Sequence, residues 1–148
     1  MLFRSVSSGG ALQLDDLEIV AMAADTDADG MPDYWELRHF TNGLAVAGDG
    51  DADGDGVGNR DEYIADTAPA DPASVLRVLG FVREQDAFRL DWSGGRDAWQ
   101  YVQLGAMMPD GEVVWTTVQS NAPPTPDEAT TAFSITNDVQ YIRIRASR

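Results

Sequence analysis

Through the second half of the chain, apolar and polar positions alternate with a period of two. Residues 75–82 form one such run. Residues 87–92 form the next, with Phe88, Leu90 and Trp92 on one face, and residues 99–104, 113–118, 132–135 and 140–145 follow. A period of two sends alternate side chains to opposite faces of a strand. Turn-forming residues separate the runs: Ser93-Gly94-Gly95, Pro109-Asp110-Gly111, residues 121–126 and Asn137-Asp138. Six short strands punctuated in this way predict a small antiparallel β-sandwich over residues 74–148.

The first half has a different pattern. Residues 12–20 alternate in part and predict a leading strand within a segment 1–24. Residues 32–40 read as a helix that stops at Asn42-Gly43, and residues 59–65 as a shorter helix. The fold class is therefore mixed and mostly β. A leading strand comes first, two loop–helix repeats occupy residues 25–73, and the sandwich follows.

The loops ahead of the two helices carry the chemistry. Residues 25–36 place Asp25, Asp27 and Asp29 at positions 1, 3 and 5, Gly30 at 6, Asp33 at 9 and Glu36 at 12. Residues 51–62 repeat this with Asp51, Asp53, Asp55, Gly56, Asn59 and Glu62. This is the twelve-residue pattern of an EF-hand-type calcium loop. Ca2+ takes six to eight oxygens at about 2.3–2.6 Å, and alternate carboxylates converge on one point as a chain curls. Glycine at 6 permits the turn that aims the carbonyl of residue 7, here Met31 and Val57, at the ion. Position 9 contributes through water, and the glutamate at 12 closes the shell with two oxygens. Two Ca2+ sites are expected.

The second loop has a competing frame that begins at Asp49. It would put Val57 at position 9 and Arg60, a cation, at position 12, so the Asp51 frame is preferred. Solvated acidic turns would also explain Asp, Asn and Gly here. A turn needs only one or two such residues, however, and four carboxylates within twelve residues repel one another without a counter-ion. With no Cys and one His the chain lacks the soft ligands of a zinc site. Mg2+ prefers to keep several waters and fits an all-protein shell less well. Position 8, where paired EF-hands form a short ladder between loops, is Pro32 and Gly58, and Pro32 has no N–H to donate.

No helix precedes either loop, so the unit is loop–helix. It resembles the calcium loops of dockerin modules and thrombospondin type 3 repeats. Residues 25–74 are similar to a repeat pair common in large secreted bacterial proteins, with Trp35-Glu36-Leu37 after the first loop, Asn59-Arg60-Asp61-Glu62-Tyr63 at the end of the second, and a tail of Ala65-Asp66-Thr67-Ala68-Pro69-Ala70-Asp71-Pro72. The later strands, through Trp92, Tyr101, Trp115 and Tyr141-Ile142-Arg143-Ile144, resemble fibronectin type III-like modules of such proteins. Residues 11–19 resemble the last strand of a jelly-roll domain and equally an ordinary leading strand. The resemblance implies a calcium-binding spacer with no enzymatic role. The alternative is a module that binds a protein partner, as dockerins do, or a glycan.

Composition narrows the classes further. The net charge is −15, and two Ca2+ would leave −11, a surface that repels nucleic acid and anionic head groups. Without Cys there are no disulfides, and compartment cannot be read from them. An extracellular home is expected because weak calcium loops fill only near millimolar calcium. Residues 1–10 lack the apolar core of a signal peptide, so the chain is expected to be part of a longer secreted protein, monomeric in isolation and not inserted in a membrane. Trp92, Trp99 and Trp115 are read as core or strand-pair residues in preference to a sugar platform, and Trp35 as packing its helix against a neighbour. No catalytic constellation stands out. His39 is the single His, Ser93 lies outside a nucleophile elbow, and nothing distinguishes Asp91 and Glu112 among many surface carboxylates.

Overall fold

A computed structural model describes residues 24–135 and 139–148. Two antiparallel three-stranded sheets dominate it. Their strands are β1 (Arg77–Glu84), β2 (Ala87–Ser93), β3 (Trp99–Met107), β4 (Val113–Asn121), β5 (Glu128–Phe133) and β6 (Val139–Ser147). One sheet has the order β1-β2-β5 and the other β4-β3-β6. The expected leading strand, residues 12–20, lies outside the described residues.

The sheets meet through the faces set by the alternation. Leu90 and Trp92 from β2 pack on Val102 from β3, flanked by Leu76, Ala129, Phe133, Ile142 and Ile144. The Trp92 ring is 1% exposed. Its indole N–H donates to Gln100 Oε1 (2.7 Å), and Gln100 Nε2 donates in turn to the Gly95 carbonyl (2.9 Å). The Thr125 hydroxyl reaches the same carbonyl at 2.5 Å. A buried Trp and a buried Gln are thus both satisfied, as buried polar groups must be.

Three expectations shift. The fifth strand was expected at residues 132–135 but starts at Glu128, pairing Ala129 with Trp92 and Thr131 with Leu90. Strands β3, β4 and β6 run two or three residues past their alternating cores. Of the three tryptophans assigned to the core or to strand pairs, only Trp92 is buried. Trp99 is 42% exposed and stacks beside Tyr101, and Trp115 is half-buried on the outer face under the Arg143 guanidinium. Alternation alone does not say which face of a two-faced sheet meets its partner.

Ahead of the sheets lie two seven-residue helices, α1 (Asp33–His39) and α2 (Asn59–Ala65), with a short 3-10 turn at Gly43–Ala45. Pro32 leads into α1 at φ −70°, where its missing N–H costs nothing. Acidic residues sit in both first turns, complementing the helix dipole. Asp66 ends α2 in the left-handed region (φ 57°), and the Thr67 N–H returns to the Glu62 carbonyl. Trp35 joins the helices, lying 5.4 Å from the Tyr63 ring and 4.5 Å from His39. Burial, helped by Arg38, holds the His39 pKa below its ordinary value. Among the described residues no helix is long and apolar enough to cross a membrane.

Candidate metal centres

The two acidic loops have one backbone trace. Position 4 is left-handed in both (Ala28 φ 60°, Gly54 φ 79°), and so is position 6 (Gly30 φ 93°, Gly56 φ 96°). Three hydrogen bonds repeat in register. The position 6 N–H donates to the position 1 carboxylate, Gly30 to Asp25 at 3.1 Å and Gly56 to Asp51 at 2.9 Å. The position 7 N–H donates to position 5, Met31 to Asp29 at 2.9 Å and Val57 to Asp55 at 2.8 Å. The position 2 N–H donates to position 9, Thr26 to Asp33 at 2.7 Å and Ala52 to Asn59 at 3.2 Å. The two loops superpose in this way only when counted from Asp25 and Asp51.

These bonds curl each loop so that its carboxylates converge. One carboxylate oxygen each from Asp25, Asp27 and Asp29 lies within 4.8 Å of the others, and the same holds for Asp51, Asp53 and Asp55. Helices α1 and α2 then carry Glu36 and Glu62 back under the loops, both 0% exposed. Six buried side-chain oxygens there have no hydrogen-bond partner: Asp29 Oδ2, both Glu36 oxygens, Asp53 Oδ2, Asp55 Oδ2 and Glu62 Oε2. Among the described residues no other buried side-chain N or O atom is left so. All six belong to positions 3, 5 and 12. A buried polar group without a partner costs about 1–3 kcal/mol, and a charged one more.

No family model, curated protein or solved structure matches this chain.

Burial and neighbouring charge raise the carboxyl pKa of Glu36 and Glu62. Burial first, and then the charges of Asp27, Asp29, Asp33 and Asp25, push the Glu36 carboxyl up from 4.5 to about 7. Burial, then Asp53 and Asp55, push Glu62 to about 7 as well, while the Thr67 hydroxyl at 3.3 Å pulls the other way. A raised carboxyl pKa means that the metal-free fold holds protons the unfolded chain has lost. That contribution to stability is present below about pH 4.5 and disappears as pH rises through about 7. A cation that requires both carboxylates ionised must displace those protons. If the loops take calcium, its affinity should therefore rise between pH 6 and 8. Calorimetric titrations in buffers of different ionisation enthalpy should show about one proton released per ion at pH 6 and almost none at pH 8.5.

Of the twelve expected positions, the structure brings together the carboxylates of Asp25, Asp27 and Asp29 and those of Asp51, Asp53 and Asp55, and buries Glu36 in α1 and Glu62 in α2. Asp33 and Asn59 act first as ties across the loop. Asn59 also donates its side-chain amide to the Ala47 carbonyl at 3.0 Å. Several contributors carried no signal in sequence. Thr67 supports Glu62. Residues 47–50 form a strap, with Asn59 N–H on Gly50 O (2.7 Å) and Arg60 N–H on Gly48 O (2.9 Å). The strap also runs against loop one, because a Cβ on Gly48 would lie 2.7 Å from the Asp29 carbonyl oxygen. Among the described residues no backbone hydrogen bond joins Pro32 to Gly58.

Proposed function

We propose that this chain is a calcium-stabilised structural module, a non-enzymatic spacer from an extracellular protein. The observation that supports it is the set of six orphaned, buried oxygens at the ligand positions of two matching loops. The donors are all hard oxygens. The side chains at positions 1, 3 and 5, the carbonyl of Met31 or Val57 and both oxygens of Glu36 or Glu62 make six, the lower end of the calcium range. A bound divalent ion would neutralise carboxylates that otherwise repel across each loop, so ligation and folding of residues 25–65 become one event.

In this reading the loop–helix pair is of the dockerin and thrombospondin type 3 kind, and the two sheets form a fibronectin type III-like sandwich. The extracellular assignment follows from affinity, since loops of this sort fill where calcium approaches millimolar. Asp25→Ala and Asp51→Ala should each abolish one site. Calorimetric stoichiometry would then fall from two ions to one in either variant and to none in the double variant. Two ions retained in both single variants would place the metal elsewhere.

A further inference from the structure

Resting on that calcium reading, we propose that the second site is a clamp on the β-sheets. An ion held by Asp51, Asp53, Asp55 and Glu62 fixes α2, and α2 fixes the sandwich through Ala65, Asp66 and Arg148.

The clamp is visible as a continuous path. Glu62 sits in the middle of α2 and reaches back to the loop, while the end of the same seven-residue helix lies on the sheets. The Gly95 N–H donates to the Ala65 carbonyl at 3.2 Å. A Cβ on Gly95 would collide with the carbonyl oxygens of both Ala65 and Asp66, so only glycine allows this approach. The Asp66 carboxylate accepts the Asp97 N–H at 2.7 Å with one oxygen and the Arg148 guanidinium with the other. Arg148 also donates to the Tyr63 carbonyl at 2.8 Å and lies 4.7 Å over the Tyr63 ring. Residues from two distant parts of the sandwich thus grip one helix end. The grip continues inward, because the Gly95 carbonyl is held by Gln100 and Thr125, and Gln100 by Trp92. Glu62 and the sheet core are therefore joined by a run of packed, hydrogen-bonded groups.

Linkage makes the coupling reciprocal. If calcium at the second loop holds α2 in the shape the sheets grip, the grip must strengthen calcium binding there by the same factor. Among the described residues the first loop reaches this grip only indirectly, through Trp35 of α1 packed against the Tyr63 ring.

Hydrogen exchange on the full chain tests this directly, with the Gly95 and Asp97 amides as reporters. Calcium should slow both by roughly tenfold, a typical coupling between sites, in the wild type and in Asp25→Ala, and leave both unchanged in Asp51→Ala. Arg148→Ala, at a residue outside both metal shells, should weaken the second site by about fivefold to tenfold and the first by less. Two ions taken up with the Gly95 and Asp97 amides unmoved, or with Arg148→Ala binding both as tightly as the wild type, would overturn the clamp alone. No uptake of calcium at all would overturn the calcium reading with it.

Discussion

Chelation of calcium is expected to dissolve the order of residues 24–65 while the two sheets stay folded. Little besides Trp35, Met31 and Ala65 is buried apolar surface in that region. Helices of seven residues are too short to persist alone. What remains without metal is a pair of loops with four or five carboxylates each and six buried oxygens facing nothing. Each filled site adds about 2.7 kcal/mol when free calcium is a hundredfold above Kd, a large share of the stability of so small a unit. Differential scanning calorimetry with and without chelator should resolve a calcium-dependent transition for the first half. The transition of the sheets should move only slightly, by the loss of the clamp. Superimposable traces would remove the metal from any structural role.

Trp92→Ala should produce the largest single-residue effect in the sheets. The ring is buried, and truncating a buried Trp costs about 3–5 kcal/mol through lost burial and the cavity left behind. A second cost follows here, because Gln100 Oε1 accepts the indole N–H and would be left unpaired inside the core. Trp99→Ala, on the exposed outer face, should cost under about 1 kcal/mol, as surface changes do. Urea unfolding of the two variants side by side separates them. Equal shifts would mean that the core has been placed on the wrong face.

The contrast between these tryptophans marks what the sequence could show. Alternation located five of the six strands and the end of the other, β5, and put Phe88, Leu90 and Trp92 on one face, because that information is local. It could not say whether Trp99 or Gln100 points inward, which depends on a sheet contributed by residues far along the chain. In segment 128–131, Glu128, Ala129 and the two threonines lack a strong apolar signal. They become a strand by pairing with β2. The convergence of the loop carboxylates was the most legible part, since the residues that come together lie within twelve positions of one another. The strap at residues 47–50, Thr67 behind Glu62, and the Asp66–Arg148 pair spanning most of the described chain came only with the fold.

The most direct measurement is a calorimetric titration of calcium into chelator-stripped protein at pH 7.5, followed in parallel by circular dichroism. Two ions per chain, taken up as helical signal grows, is the predicted result. A flat titration up to several millimolar calcium, with an unchanged spectrum, would contradict it.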